Sequence, residues 1–153
     1  MEKLYVKDVS FETPNSPDIF MAQPQAQPQI DLQLNSTTQP IKDDLHEVSL
    51  NATVTFTSED KTAFLVEVQQ AGIFTLANFS PEQMAYMANS FCPNVLFPYL
   101  RECISDLVTR GGFPPLLLDP INFDAVYAQR VQQQQQQQGG QIQQPLGQAP
   151  IGS

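Results

Sequence analysis

Lys61-Thr-Ala-Phe-Leu-Val-Glu-Val-Gln-Gln-Ala-Gly-Ile-Phe-Thr-Leu76 is rich in Val, Ile, Phe and Thr, holds no proline, and is bounded by Ser58-Glu-Asp60 and Asn78-Phe-Ser-Pro81. It reads as one long strand. Alternation puts Phe64, Val66, Val68, Phe74 and Leu76 on one face, and the other face sets Leu65 beside Glu67, a large apolar side chain next to a charge. Gly72, inside such a run, predicts a bulge or the close approach of another backbone. A strand of this length needs neighbours on both edges.

Working outward supplies them. Leu45 to Thr57 alternates most cleanly, with Val48, Leu50, Ala52, Val54 and Phe56 inward and Glu47, Ser49, Asn51, Thr53 and Thr55 outward. The polar turn Ser58-Glu-Asp-Lys61 joins it to the first stretch as an antiparallel hairpin. Ile30 to Asn35 is a shorter strand at or near an edge, ended by Thr37-Thr-Gln-Pro40. Leu4 to Glu12 is the first strand, with Tyr5, Lys7, Val9 and Phe11 expected on one face and Leu4, Val6, Asp8, Ser10 and Glu12 on the other. Between these two, Asp18 to Gln29 is a long, mobile crossover carrying Pro24 and Pro28.

Helices come after the strands. Ser80-Pro-Glu-Gln83 has the hydroxyl, proline and glutamine of a capping box. Cys92-Pro-Asn94 interrupts, and a second run then reaches Arg110 before Gly111-Gly112 stops it, with Pro98 expected to kink it or set its start. Its apolar stripe is twice the usual width: Val95 and Leu96, Tyr99 and Leu100, Cys103 and Ile104, Leu107 and Val108. Phe113-Pro-Pro-Leu-Leu-Leu118 is a stiff connector. Asp119-Pro120 or Asn122 caps a last helix, with Phe123, Val126, Tyr127 and Val131 on one side. The expected fold class is α+β, a four-stranded antiparallel sheet followed by helices packed on one face. The folded domain spans residues 1–131, and 132–153, glutamine-rich and uncharged, is expected to be a disordered tail.

The 153 residues carry 7 bases against 16 acids, a net charge of −9 with pI ≈ 4.2. Phosphate-rich partners, nucleic acid or an anionic membrane, are repelled by that balance, whereas a basic polypeptide is favoured. No apolar run approaches the roughly 18 residues of a membrane span. Met1-Glu-Lys-Leu-Tyr-Val6 lacks the apolar core of a secretory signal, so a soluble cytoplasmic protein is expected. Catalytic chemistry is poorly supplied. The one histidine, His46, and the two cysteines, Cys92 and Cys103, have no zinc spacing, so neither metal nor other cofactor is expected. On one helix the cysteines lie about 16 Å apart, too far to bridge. A hydrolase using Cys103 with His46 is the enzymatic alternative, but Cys103 sits in the apolar stripe and burial explains it more simply.

Excess apolar surface resists so plain a reading. A double-width stripe, a long strand and an apolar connector exceed what one small sheet can cover, which calls for subunit contacts or an apolar binding groove. An apolar patch of about 800 Å² per partner is worth about 20 kcal/mol before the costs of association. The scattered acids Asp8, Glu12 and Glu67 suit either a solvated face or a dock for a cationic partner.

These residues together resemble a known family. Tyr5-Val-Lys-Asp-Val-Ser-Phe-Glu-Thr-Pro-Asn-Ser-Pro17, Phe64-Leu-Val-Glu-Val-Gln-Gln-Ala-Gly-Ile-Phe74, Cys92-Pro-Asn-Val-Leu-Phe-Pro-Tyr-Leu-Arg-Glu102 and Pro120-Ile-Asn-Phe-Asp-Ala125 are similar to stretches of SecB, the bacterial protein-export chaperone family, with the likeness running from Leu4 to Val131. The resemblance implies a homotetramer, a dimer of dimers, with the long helix packed between sheets. It implies an ATP-independent holdase that binds unfolded preproteins and hands them to the motor ATPase SecA. By position, Asp8, Glu12, Leu65 and Glu67 match the site for the basic, zinc-binding tail of SecA. Ile30, Leu32, Leu34 and Tyr127 match the groove for unfolded clients. Val66, Val68 and Gln70 match positions tied to assembly, to which the helix stripe adds Leu96, Leu100, Cys103 and Leu107. The family's crossover usually carries a Trp; this chain has none and offers Met21 and prolines in its place. A SecB-like holdase serving a toxin–antitoxin pair, independent of SecA, is the alternative within the same class.

Overall fold

The computed structural model describes residues 1–21 and 27–135. Expectations for the middle of the crossover, residues 22–26, and for the tail from residue 136 lie outside the described residues.

Strands β3 (Leu45–Ser58) and β4 (Lys61–Thr75) pair antiparallel from Ser58 opposite Lys61 to Leu45 opposite Thr75. The turn residues Glu59 and Asp60 have positive φ, 49° and 65°. That is the two-residue turn whose twist matches its flanking strands. Strand β2 (Gln29–Lys42) pairs with β3, and β1 (Lys3–Glu12) with β4, so the sheet order is β1-β4-β3-β2. The hairpin and the four-stranded antiparallel sheet are as the alternation predicts.

Two strands depart from expectation. β2 runs far beyond Asn35: Thr37-Thr-Gln-Pro40 continues the ladder, and the reversal falls at Asp43-Asp44, with Asp43 at φ 54°. An edge strand tolerates Pro40 because its missing amide hydrogen can face away from the partner. The second departure reverses half of β1. Val6 lies opposite Gln70 and Asp8 opposite Gln69, so Lys7 is an extra residue, a bulge. Beyond it the in–out alternation shifts by one. Leu4, Val6, Val9 and Phe11 therefore share the face of Val66, Val68 and Gly72, while Tyr5, Asp8, Ser10 and Glu12 share the face of Leu65 and Glu67. Strict alternation would instead pair Val9 and Phe11 with Tyr5. Gln70, only 3% exposed, donates from its side-chain amide to the Tyr5 carbonyl at 3.1 Å, beside the bulge.

Helix α1 (Asp18–Met21) is a single turn. Helix α2 (Pro81–Tyr86) begins at the predicted capping box, with Ser80 Oγ accepting from the Gln83 amide at 3.2 Å and Gln83 Oε1 from the Ser80 amide at 3.0 Å. Cys92-Pro-Asn94 does not break the helical path. A π-helical turn, Met87–Phe91, leads directly into α3 (Cys92–Arg110), and Pro93 in its first turn leaves only its own amide bond out of that continuous path. Pro98 lies inside α3 without ending it, and Gly111 caps the helix, its N–H bonding to Leu107.

Helix α3 lies across β4 and β3, packing Leu96, Leu100, Ile104 and Val108 onto Val48, Leu50, Val54, Val66 and Val68. Gly72 permits the approach, because a Cβ there would stand 2.9 Å from the Phe74 ring and 3.2 Å from Leu96 Cδ2. Of its two expected meanings, close approach holds at Gly72 and the bulge is next door in β1. Helix α4, residues 123–135, starts at Asn122, whose Oδ1 accepts from the Ala125 amide at 3.1 Å. It runs through residues 132–135, four positions past the expected domain boundary, glutamine being a good helix former.

Candidate functional sites on the two sides of the sheet

The side away from α3 is polar, and register alone organises it. Across the strands β1, β4, β3 and β2, Glu12, Leu65, Thr55 and Asp31 form one row, Ser10, Glu67, Thr53 and Gln33 the next, and Asp8, Gln69, Asn51 and Asn35 a third. Asp8, Glu12, Leu65 and Glu67, expected to act together, thus share one end of one face. The three acids are exposed, Leu65 is half-buried between them, and the acids form no ion pair among the described residues. Asp31 extends the row to the far edge. Sequence reasoning missed it, although its place in a strand that alternates with Ile30, Leu32 and Leu34 was the available signal.

At the other end of the face one carboxylate is already engaged. Glu47 accepts from Lys7 Nζ at 2.8 Å, from Gln39 Nε2 at 3.1 Å and from the Tyr5 hydroxyl. The Lys7 and Tyr5 hydrogen bonds hold the Glu47 carboxyl below the usual glutamate range. Burial, with the Glu47 hydrogen bond and charge behind it, pushes the Tyr5 phenol up to about 12. Free negative charge is therefore concentrated where Leu65 lies.

The helix side is apolar and incompletely covered. Because α3 sits over the two central strands, Val6 and Val9 on β1 (46% and 40% exposed) and Ile30 and Leu32 on β2 (49% and 37%) are left open on its two flanks. On the β2 flank, α4 closes a groove of about 320 Å³, floored by Leu32, Leu34 and Leu50 and walled by Ile121, Phe123 and Val126. Arg130 stands in the same lining. Ile30 shares the face of Leu32 but lies outside the lining. Tyr127 does not join the groove: it turns to the other flank of α4, its ring 6.0 Å from Tyr86. Asp124 fixes that flank, accepting from the Tyr86 hydroxyl at 3.0 Å and from the Ser90 hydroxyl. Both hydrogen bonds hold the Asp124 carboxyl below its ordinary range. Phe123 and Val126 form the helical wall of this groove.

A second hollow, about 240 Å³, lies where Phe20, Phe56, Phe113 and Pro114 meet. The Phe20 ring lies 5.1 Å from that of Phe113, tilted by 42°, whereas Met21, expected to stand in for the family's Trp, is 83% exposed. Of the positions expected at subunit contacts, Val66, Val68, Leu96 and Leu100 are wholly buried in this subunit's own core and Gln70 nearly so, while Cys103 and Leu107 are half-buried. Exposed Val6 and Val9 lie opposite Gln70 and Val68, Tyr99 is exposed on α3, and Leu117 is exposed in the connector.

Burial and then the neighbouring Glu102 and Asp106 raise the Cys103 thiol, which disfavours the nucleophilic thiolate. His46 lies 3.2 Å from the Asp44 carbonyl through Nδ1. Among the described residues no cluster of three or more metal ligands occurs, and no helix is long and apolar enough to cross a membrane.

Comparison with known proteins agrees with this geometry. The family model described as preprotein translocase subunit SecB matches residues 1–134. The chain is 56% identical over 133 residues to the protein-export protein SecB of Nitrosococcus oceani, covering 87% of this chain and 81% of that one. It is 56% identical over 132 residues to its counterpart from Methylococcus capsulatus, covering 86% and 84%. Among solved structures, a Mycobacterium tuberculosis SecB-like chaperone, in complex with a peptide from an antitoxin, shares the fold with a TM-score of 0.63 at 17% identity, over 78% of this chain and 88% of that one.

Proposed function

The chain belongs to the SecB family of preprotein translocase subunits, and from that premise we propose that it is a non-enzymatic protein-export chaperone of the cytoplasm. It holds unfolded preproteins without ATP and passes them to SecA. The observation that carries this reading is the split between the two sides of one sheet: apolar grooves beside α3, and unpaired carboxylates around Leu65 on the opposite face. An unfolded client is recognised by exposed apolar chain rather than by sequence, which the groove suits. A basic tail is steered by charge and anchored by one apolar contact, which Asp8, Glu12, Glu67 and Leu65 suit.

The active form is a homotetramer, a dimer of dimers. Exposed apolar patches support it, at Val6 and Val9 along the free β1 edge, at Tyr99 on α3 and at Leu117 in the connector. Val66, Val68, Gln70, Leu96 and Leu100 serve assembly from beneath, by fixing the shape of those patches. Several grooves on one assembly hold one long client by avidity.

Glu67→Lys tests the separation of the sites. Binding to the isolated basic, zinc-binding tail of SecA falls at least about tenfold, as expected when a favourable charge is made repulsive. Suppression of aggregation of an unfolded preprotein is unchanged. If that suppression collapses while the tetramer stays intact, the two sites are not separate and the reading fails. If the unaltered protein suppresses aggregation but ignores the tail, it is a holdase that does not serve SecA.

A further inference from the structure

Helix α4 presents Phe123, Val126 and Arg130 to the groove, at the three- and four-residue spacings that keep side chains on one face. Tyr127 and Val131 lie on the flank beside Glu82, lining a separate hollow. The groove stripe therefore ends, one turn past Val126, in a guanidinium. It is the one charged side chain in the groove lining, the remainder being aliphatic, aromatic, Ser or Asn.

The chemistry of that position is unusual for this molecule. Acids outnumber bases 16 to 7, and two of those bases are ion-paired among the described residues: Lys7 with Glu47 at 2.8 Å and Arg110 with Asp106 at 2.9 Å. Arg130 has no ion-pair partner among the described residues, yet it stands in an apolar groove. A guanidinium takes a carboxylate through two parallel hydrogen bonds, and because Arg130 is exposed at the groove's end that pairing is modest and screened by salt.

We infer that Arg130 makes the groove selective, favouring client segments in which aliphatic side chains are followed by an Asp or Glu carboxylate. The inference rests on the groove being the client site. It gives the groove a direction: aliphatic side chains enter over Leu32 and Leu34, and the carboxylate lies at the Arg130 end. The overall charge of −9 disfavours acidic segments everywhere else on the surface, so the preference is local to this groove.

The test is fluorescence anisotropy on the full-length assembled protein at low salt. The probes are three labelled peptides with a Leu-Leu-Xaa-Leu centre and no other charge, where Xaa is Asp, Asn or Lys. The ratio of Asp-peptide to Asn-peptide affinity is the readout, because it cancels the apolar contribution. Arg130→Met keeps the aliphatic stem and removes the charge, and it is expected to lower that ratio about threefold, the scale of a partly exposed ion pair. Arg130→Glu moves the preference to the Lys peptide, and added salt erodes both effects. A ratio unchanged in Arg130→Met and Arg130→Glu overturns the inference and leaves the groove reading standing. Leu32→Ser, at a part-exposed position, is expected to weaken all three peptides alike. If it weakens none, the groove reading itself fails and the inference falls with it.

Discussion

Glu47 is the residue on which one end of the polar face is pinned, with Tyr5, Lys7 and Gln39 drawn to it from two other strands. Folding lowers its pKa, so the stability it lends is complete above the ordinary glutamate value of about 4.3 and drains away as pH falls through the lower folded value. Glu47→Gln should therefore cost about 1 kcal/mol at pH 7, with the gap to the unaltered protein closing toward pH 3, as urea unfolding at the two pH values would show. This network was not legible in the sequence. Lys7 and Glu47 are 40 positions apart, and only strand register brings them together. Leu65 and Glu67 were legible as an anomaly, because a large apolar side chain beside a charge on one strand face has no use in a simple core. Tyr127 lies away from the groove for a smaller reason: on a helix, adjacent residues stand about 100° apart, so Val126 and Tyr127 can serve opposite flanks.

Helix α3 gives the sheet its dry side, and its packing depends on the absence of a side chain at Gly72. Gly72→Ala would place a methyl group 2.9 Å from the Phe74 ring and should destabilise by about 1–3 kcal/mol through overpacking. Leu100→Ala, at a site with no exposure, leaves a cavity and should cost about 2–5 kcal/mol. Thermal denaturation of both variants checks the pair, and a neutral result at Gly72 would show that the helix can shift away. The elements themselves were legible from periodicity, capping and turn chemistry. Their boundaries failed where prolines were taken as stops: Pro40 is absorbed at a free sheet edge, and Pro93 in the first turn of a helix. The bulge at Lys7 escaped notice because nothing in a charged residue marks it as supernumerary.

At the scale of the molecule, a helix narrower than its sheet leaves apolar margins on both sides, one partly roofed by α4 and one bare. The bare margin along β1, and the exposed Tyr99 and Leu117 side chains, are where copies of the chain are expected to meet. Tyr99→Asp with Leu117→Asp should convert the assembly to smaller species with unchanged circular dichroism, as sedimentation velocity would register. An unaltered sedimentation coefficient would move the contact elsewhere. The extra residue in β1 reaches further still. Were Lys7 paired in the ladder instead of bulged, an uninterrupted odd–even count would send Asp8, Ser10 and Glu12 toward α3 and Val9 and Phe11 out into water. One residue left out of the pairing, quite apart from the composition of the strand, thus decides which side of the molecule carries its free carboxylates.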